Sequence, residues 1–256
     1  MKLSIVTINL NNAIGLDKTL NSLQNQEDTN FELIVIDGKS TDASIEIAHK
    51  YSSIIRKLIS EKDSGIFDAQ NKGSQLSNGQ YILFLNSGDI LANHQIISKF
   101  NNFKANSDLI IGDIIFDLGK YKWRRYFSKQ INDIFFFLES LPHSSTFIKR
   151  ELLEECGGYD LSYKIVSDYD FFIKSTIKLK SSYTFMKTPI SVFNKMGISS
   201  DESAVSSHIK ERNEVFIKYF GHERFDELNK KRTYYNLFYK KIPYIYNFIK
   251  SYFELN

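Results

Sequence analysis

The sequence predicts an α/β protein with an open, mostly parallel central sheet. Two β-branched runs without polar alternation, LSIVTI (3–8) and FELIVIDG (31–38), have the pattern of strands that are covered on both faces. Between them, leucines recur at spacings of four and three, which places Leu16, Leu20 and Leu23 on one face of a helix. Together these observations predict a βαβ unit near the start of the chain.

Strand and helix patterns continue to alternate to about residue 100. Predicted next are a helix over 43–51 and strands over 54–60 and 81–86. Such alternation is typical of a parallel α/β sheet, on which ligands bind beyond the carboxyl ends of the strands.

The second half of the chain has a mixed pattern. Segments 108–117 and 121–127 predict a strand pair, and 144–160 predicts a strand, a helix and a glycine stop. The stretch SYTFMKTPISVFNKM (182–196) predicts two strands that meet at Pro189.

Composition limits the possible functions. The 256 residues are 42% hydrophobic and 25% charged, which is ordinary for a globular protein and excludes a fibrous or disordered chain. The net charge of +3 gives no argument for binding nucleic acid. The single cysteine, Cys156, excludes an internal disulfide and fits a reducing compartment. Because the sequence has neither a secretory signal pattern nor the roughly 20 consecutive apolar residues of a membrane span, a cytoplasmic protein is expected.

Three aspartates, Asp37, Asp63 and Asp89, each follow a predicted strand. Since the carboxyl ends of parallel strands share one edge, we expect these carboxylates to form one site, although each alone also fits a turn residue. Glycines beside them would let the backbone approach a ligand closely (Gly38, Gly65, Gly73 and Gly88). The phosphate-binding patterns GxGxxG and GxxxxGK[ST] are absent, which makes a divalent metal a candidate to take their place.

Six motifs extend this picture: SIVTINLNN, LIVIDGKSTDAS, SEKDSGIFDAQNKG, GQYILFLNSGD, PHSSTFIKR and SDYDFFIK. Their order and spacing over about residues 2–200 resemble the family 2 glycosyltransferases with the GT-A fold, especially the polysaccharide-biosynthesis branch that includes the colanic acid enzymes. The resemblance implies a GT-A catalytic domain over 1–200, with a nucleotide-binding half (1–100) and an acceptor half (101–200). Residues 201–256 would be a helical extension.

The same resemblance implies an inverting transferase. Its donor would be a nucleotide-diphospho-sugar, UDP-linked, and its cofactor Mn²⁺ or Mg²⁺. Its acceptor would be a hydroxyl group of a saccharide or of a polyprenyl-diphosphate-linked saccharide, in cell-surface polysaccharide biosynthesis.

By this resemblance, Thr7, Asn9 and Asp37 match nucleoside-contacting positions, and Asp37 would accept a hydrogen bond from a uracil base. The stretch EKDSGIFDAQNKG would complete the pocket. Its members would be Asp63 near the base, Gly65 as room for the base, and Asn71 and Lys72 toward the ribose or diphosphate. Lys72 also lies four residues after Asp68, so an intrahelical ion pair is the alternative role for this lysine.

The segment NSGD (86–89) departs from the DxDD form that is common for the family's metal motif. Asn86 and Gly88 stand where the family has acidic residues. Asp89 would then supply most of the protein's share of a metal site, and affinity for free metal is expected to be low until the donor diphosphate arrives. A metal-independent variant and a plain turn role for Asp89 stay open.

The motif VSDYDFF aligns Asp168 with the family's catalytic base. A carboxylate opposite the leaving diphosphate can remove the acceptor's proton during direct displacement. The alternative is that Asp168 caps a helix over 169–178. Asp170, two residues further on, is expected to point elsewhere. His143 is expected on the acceptor or diphosphate side, or as a structural histidine, and KMGIS (195–199) matches the family's Gly-x-Ser loop near the donor.

From about residue 202 the pattern is helical, and residues 229–256 contain six Lys or Arg, one acid, six Tyr and three Phe. This composition favours a membrane surface or a partner groove, and KYKWRR (120–125) would join the same surface. Packing of the aromatic side chains on the domain is the alternative. With a lipid-linked acceptor, peripheral attachment at the inner face of the plasma membrane is expected.

Two other functions compete with catalysis of sugar transfer. A non-catalytic relative that binds sugar nucleotides is compatible with the altered metal motif. A nucleotidyltransferase shares the α/β nucleotide-binding arrangement, but it would normally show a Gly-rich N-terminal loop with a basic residue, which SIVTINLNN lacks.

Overall fold

The computed structural model describes residues 2–117, 119, 121–128, 130–194 and 202–240. The predicted donor loop at 195–199, Lys120 of the basic hairpin and positions 241–256 of the tail lie outside these residues. Within the described ranges, no helix combines the length and apolar character that crossing a bilayer requires.

Nine strands of the described chain form one sheet. They are β1 Leu3–Asn9, β2 Glu32–Asp37, β3 Ile55–Ser60, β4 Tyr81–Phe84, β5 Ile90–Leu91, β6 Leu109–Asp117, β7 Lys122–Arg125, β8 Thr146–Lys149 and β9 Tyr183–Asn194. The order across the sheet is β3-β2-β1-β4-β8-β6-β9-β5, and β7 pairs with β6. The first four strands in this order are parallel, and β8 pairs antiparallel with both β4 and β6. The parallel half and the mixed half are therefore parts of one sheet.

Eight helical segments accompany the sheet in the part of the chain that the structure describes. They are α1 Ala13–Gln24, α2 Ser44–Lys50, α3 Ile66–Gln75, α4 Ile96–Asn102, α5 Asp133–Leu138, α6 Arg150–Glu155, α7 Ser167–Ile173 and α8 Glu202–Lys240. A 3₁₀ turn covers His143–Ser145, and a π-helical turn covers Lys174–Lys178. Gly221 interrupts α8 with a φ of 82°, so this segment is two helices that meet at a kink.

Helices cover both faces of the sheet, as the apolar strand runs predicted. In β1, Leu3 and Ile5 pack in a core with α1, α2 and α4, whereas Val6 and Ile8 pack in a core with α3 and with α5 to α8. This alternation follows from the two-residue period of a strand, because both faces of β1 are buried. The parallel strands therefore end together at one edge, between two layers of helices.

Most of the predicted elements are present. The βαβ unit is β1, α1 and β2, and the strand pair is β6 with β7, which are antiparallel. The segment 144–160 contains β8, α6 and a turn in which Gly157 has a φ of 78°. A left-handed residue at this point ends α6, as a glycine stop should.

The prediction of two strands meeting at Pro189 is wrong, because β9 is one strand. The register between β6 and β9 shifts on either side of Asp113, whose partner is Pro189. Lys187 has a φ of 53° just before this point. The irregularity accommodates a residue that has no N–H to donate, so the strand continues beyond it.

Candidate functional site

The ends of β1 and β2 bring Asn9 and Asp37 side by side. Their Cα atoms are partners in the parallel register, and Asn9 Nδ2 donates to Asp37 Oδ1 at 2.9 Å. Ser40 donates to the same carboxylate from its backbone N at 2.9 Å and from its Oγ at 2.5 Å, and Ser60 Oγ donates at 2.7 Å. Burial alone would raise the pKa of Asp37, but these hydrogen bonds outweigh it and hold its pKa below the usual value.

Four donors use the acceptor positions of an ionised carboxylate. Asp37, which is 1% exposed, therefore has no lone pair left for a uracil N–H in this arrangement. Its side chain anchors the loop after β2 instead.

Asp63 lies beside this loop. Its Oδ1 accepts from Gly65 N at 3.0 Å, and its Oδ2 lies 2.6 Å from the position that a Cβ at residue 38 would take. Gly65 has a φ of 123° and open space where a side chain would stand. Gly38 thus lets Asp63 approach the end of β2, and both acidic residues flank the same edge of the sheet.

Two residues predicted to contact the donor, Thr7 and Asn71, have side chains that are buried or hydrogen-bonded within the protein. Thr7 is fully buried in β1, and its hydroxyl has no hydrogen-bond partner among the described residues. Asn71 makes two hydrogen bonds of 2.8 Å with the backbone of Tyr159, one as donor and one as acceptor. In this conformation the Asn71 amide clamps α3 to the glycine turn after α6.

Lys72 forms the ion pair that was the alternative to a donor contact. Its Nζ lies 3.4 Å from Asp68 Oδ2 and 2.9 Å from Glu61 Oε1. Hydrogen bonds to Glu61 are the main reason that the pKa of Lys72 is raised. The ammonium group thus pairs with Asp68 on its own helix and with Glu61, which directly follows β3.

The segment after β4 is held against the ends of β1 and α1. Ser87 N donates to Ile8 O at 3.0 Å, and Gly88 N donates to Thr19 Oγ1 at 2.9 Å. Thr19 Oγ1 in turn donates to Asp89 O at 2.7 Å. Gly88 has a φ of 106°, a conformation that favours glycine, so the turn places the buried Asp89 next to the strand ends.

Asp89 is the predicted protein ligand of a divalent metal. Among the residues that the structure describes, no three His, Cys, Asp or Glu side chains are grouped to hold an ion. Mg²⁺ and Mn²⁺ are commonly bound through one or two protein carboxylates, with substrate phosphates and water completing the shell. Asp89 supplies one such carboxylate next to the strand ends, which is the share of the donor set that a metal bound together with a diphosphate takes from a protein.

A chain of hydrogen bonds crosses from the donor half to Asp168. Gln70 Nε2 donates to Asn86 Oδ1 at 3.1 Å, and Asn86 Nδ2 lies 3.3 Å from His143 Nε2. His143 Nδ1 lies 3.0 Å from Asp168 Oδ2. Four separate parts of the fold, namely α3, the segment after β4, the 3₁₀ turn and α7, thus meet through side chains.

Two carboxylates act on the imidazole of His143. Burial would lower its pKa, but the hydrogen bond to Asp168 and the negative charges of Asp168 and Asp89 raise the pKa above its usual value. The hydrogen bond places Asp168 against the imidazole, and the negative charge of Asp89 also acts on the ring.

The helix that carries Asp168 begins earlier than predicted. Because α7 begins at Ser167 with Val166 as its N-cap, the alternative role of Asp168 as the cap is wrong. Asp168 lies in the first turn, its Oδ1 accepts from Tyr169 N at 2.8 Å, and 20% of its side chain is exposed. Asp170 points elsewhere, as predicted, and pairs with Lys218 of α8 at 2.8 Å.

Sequence reasoning missed Gln70 and Arg212. Gln70 is 1% exposed and shares the buried face of α3 with Phe67 and Gly73. A polar amide on this apolar helix face was the sequence signal that could have identified it. Arg212 lies on α8, donates to Phe136 O at 2.8 Å and stacks 4.2 Å from the ring centroid of Tyr169. Its guanidinium group also interacts with the charge of Asp168, and nothing in the sequence indicated this.

A separate cavity of about 490 Å³ lies between the turn after α6, α7 and α8. It is lined by Cys156, Asp170, Lys174 and Lys218, among others, and by no residue that the sequence assigned to the site. Lys174 donates to Cys156 O at 2.8 Å, so its ammonium group already has an acceptor.

Comparison with known proteins adds to this geometry. The family model described as "Glycosyl transferase family 2" matches residues 4–157. A "PGL/p-HBAD biosynthesis glycosyltransferase" of Mycobacterium bovis is 30% identical over 200 residues, which cover 76% of this chain and 77% of the relative.

Two solved structures show the same fold. S. aureus TarS 1-349 in complex with UDP-GlcNAc has a TM-score of 0.68 at 18% identity, covering 86% of this chain and 68% of TarS. The mannosyltransferase PcManGT from Pyrobaculum calidifontis, in complex with GDP-Man and Mn²⁺, has a TM-score of 0.64 at 14% identity, covering 85% and 64%. The predicted α/β arrangement of the GT-A type is thereby confirmed.

Proposed function

The chain belongs to glycosyl transferase family 2, and we propose that it is an inverting enzyme that moves a sugar from a UDP-sugar to a hydroxyl group of a glycan or a lipid-linked saccharide. The family establishes that the chain is a glycosyltransferase. The complexes of TarS with UDP and with UDP-GlcNAc support a uridine donor. The biosynthetic role named for the mycobacterial relative supports a place in the synthesis of cell-surface glycans.

The observation that carries the proposal is the link between Asp168 and the metal-motif segment through His143 and Asn86. It supports Asp168 as the base that takes the proton of the acceptor hydroxyl. The acceptor oxygen then forms a bond to the anomeric carbon while the bond from that carbon to the donor diphosphate breaks, and the nucleoside diphosphate leaves. Attack from the face opposite the leaving group inverts the anomeric configuration.

On the donor side, we assign the nucleoside to the sheet edge that Asp63 and Gly65 flank. Asn9 is 4% exposed and donates to Asp37, so both residues support the adjacent loop. Thr7, Asn71 and Lys72 are left out of this assignment because their side chains are buried or engaged within the protein.

Asp89 would hold Mn²⁺ or Mg²⁺ together with the donor diphosphate, and the ion would neutralise charge that develops on the leaving group.

The test is a donor screen followed by transfer assays. The protein is incubated with nucleotide sugars and Mn²⁺, ligand binding is followed by thermal shift, and nucleoside diphosphate release is measured with and without saccharide acceptors. Asp168→Asn should lower turnover by about 100-fold or more while donor binding is retained. The exposed Asp226 provides a matched control, Asp226→Asn, with unchanged turnover. Equal turnover of Asp168→Asn and the wild type would contradict the assigned base.

A second candidate is a non-catalytic relative that binds sugar nucleotides. It is favoured by the side chain of Asn86, whose two polar atoms face Gln70 and His143 where the family has an acidic residue. Tight donor binding without transfer or donor hydrolysis, for every donor and metal in the screen, would establish this alternative.

For localisation we propose a cytoplasmic protein attached peripherally to the membrane through 229–256. The support is the basic and aromatic composition of this segment. The division into a catalytic domain over 1–200 and an extension over 201–256 is part of the same proposal. Flotation with anionic liposomes, with and without residues 229–256, tests the membrane attachment, and equal recovery of both forms would contradict it.

A further inference from the structure

We propose that His143 is a positioning residue for Asp168 and that Gln70 and Asn86 set the orientation and tautomer of His143. This inference rests on the proposed role of Asp168 as the base. It gives the amide at position 86 a function in proton transfer, where the family pattern would place an acid for metal binding.

The direction of the hydrogen bonds follows from the chemistry of each group. Asn86 Oδ1 accepts from Gln70 Nε2, so the Nδ2 of Asn86 is the atom that faces His143. An amide nitrogen only donates, and His143 Nε2 must therefore accept. In a neutral imidazole the proton is then on Nδ1, from which it is donated to Asp168 Oδ2.

The carboxylate of Asp168 is consequently held at both oxygens. Oδ1 accepts from Tyr169 N at 2.8 Å, and Oδ2 accepts from His143 Nδ1 at 3.0 Å. Each carboxylate oxygen has a second lone pair, which stays available for an acceptor hydroxyl. Two donors fix the plane of the carboxylate, and a fixed plane is what a base needs to meet an incoming hydroxyl with good geometry.

The series of hydrogen bonds from Gln70 to Asp168 begins at a buried side chain and ends at partly exposed ones. Gln70 is 1% exposed, whereas the side chains of His143 and Asp168 are 23% and 20% exposed. The rigid end thus belongs to α3 of the donor half, and the accessible end belongs to α7 of the acceptor half.

An acid at position 86 would reverse this arrangement. A carboxylate has no N–H to donate, so it would draw a proton onto His143 Nε2 and place a further negative charge near Asp89 and Asp168. His143 would then carry protons on both nitrogens. Asn86 is the residue type that keeps Nε2 as an acceptor without adding charge.

The two nitrogens of His143 can be separated by substitution. The Nδ2 of an asparagine occupies nearly the position of His143 Nδ1, so His143→Asn keeps the donor to Asp168 and removes the contact with Asn86. A glutamine amide reaches the position of Nε2, so His143→Gln keeps the contact with Asn86 and removes the donor to Asp168. The exposed His94 provides the matched control, His94→Gln.

We expect His143→Gln to lower kcat by about 100-fold with the donor KM within about twofold of the wild type. His143→Asn should recover kcat to within about tenfold of the wild type. Asn86→Asp should lower kcat by about tenfold or more. The exposed Asn102→Asp, which adds the same charge elsewhere, should leave kcat unchanged. Urea unfolding of each variant checks that it is folded under the assay conditions, so that kcat values of folded proteins are compared.

Equal decreases in kcat for His143→Gln and His143→Asn would overturn the inference. A raised donor KM with unchanged kcat would also overturn it, because His143 would then contact the donor. Full activity of Asn86→Asp would overturn the role of Asn86. If the wild type transfers sugar and Asp168→Asn does not, while both His143 variants are active, the proposed function stands and this inference fails.

A readout without turnover makes the inference independent of finding the substrate. Imidazole ¹⁵N shifts of histidine-labelled protein, recorded at a pH above the raised pKa of His143 so that the ring is neutral, report the tautomer. The signal of His143 is identified by its loss in His143→Asn. A neutral ring protonated at Nδ1 is expected in the wild type, and loss of that state is expected in Asn86→Asp. A ring protonated at Nε2 in the wild type would overturn the inference.

Discussion

Asp168 and Asp170 lie two residues apart in the first turn of α7, and their carboxylates bind different elements. Asp168 faces His143 of the 3₁₀ turn at 3.0 Å, and Asp170 faces Lys218 of α8 at 2.8 Å. Residues two apart on a helix point in different directions, so one turn serves both the site and the packing of α8.

The pair of Asp170 and Lys218 is expected to stabilise the fold without serving catalysis. Lys218→Ala should lower the free energy of unfolding by about 1–2 kcal/mol, because it leaves the buried Asp170 without its cation while the lysine itself is 44% exposed. Urea unfolding measures the loss. Lys210→Ala, which breaks an exposed ion pair of α8, is the control. A loss of turnover larger than the loss of folded protein would contradict this role.

The hydrogen bonds to Asp37 predict a pH-dependent stability. A carboxyl group whose folded-state pKa lies below its ordinary value of 3.8 stabilises the folded state above that pH, and the contribution is lost as pH falls through the folded-state pKa. Asp37→Asn should therefore cost about 1–3 kcal/mol at pH 7. The difference from the wild type should shrink below about pH 4. Urea unfolding at several pH values measures both, and a difference that grows in acid would contradict the assignment.

The two hydrogen bonds between the Asn71 amide and the Tyr159 backbone are expected to stabilise the fold. Asn71→Ala removes both hydrogen bonds to the Tyr159 backbone and should lower the free energy of unfolding by about 2–3 kcal/mol. Donor affinity, measured by calorimetry on the folded variant, should change by less than about twofold. Asn25→Ala, at an exposed helix end, is the control for stability. A large loss of donor affinity with unchanged stability would contradict this structural role and support a contact between Asn71 and the donor.

Metal binding is expected to depend on the donor. Calorimetry should give weak binding of Mn²⁺ to the protein alone and at least about tenfold tighter binding with UDP present, because diphosphate oxygens complete the shell. Asp89→Asn should remove most of this gain, and chelation with EDTA should stop transfer until Mn²⁺ is restored. Full transfer in EDTA would instead identify a metal-independent enzyme.

Cys156 is expected to be unreactive in the folded protein. Burial raises the pKa of its thiol to about 11, and the residue is 6% exposed. Since the thiolate is the reactive form, alkylation by iodoacetamide at pH 7 should be at least about 100-fold slower in native buffer than in urea. Rapid labelling in native buffer would show that the turn after α6 opens readily.

The fold was predictable where local pattern and burial agree. β1, α1 and β2 follow from apolar runs and leucine spacing, since both faces of β1 are covered. The break predicted at Pro189 failed because the pairing of β6 with β9 continues past an irregularity, and this long-range pairing is invisible in a local window. The start of α7 was misplaced by two residues for a similar reason, because Val166 occupies the cap without a side-chain hydrogen bond.

The site was predictable in its residue types and less so in their contacts. His143 and Asp168 are brought into contact, although only the resemblance to a family linked them in the sequence. The engagement of Asn71 with Tyr159 required knowledge of where α6 ends. Which residues contact the donor, and the boundary near residue 200, stay predictions.

The continuous sheet has a mechanical consequence. The β4–β8 pairing joins the strand that precedes Asn86 to the strand that follows His143, so the two halves share one hydrogen-bonded sheet in the described part of the chain. Rotation of one half against the other would break the hydrogen bonds between β4 and β8. We therefore expect closure around a bound sugar to come from loops, with the spacing between the donor-side edge and α7 set when the chain folds.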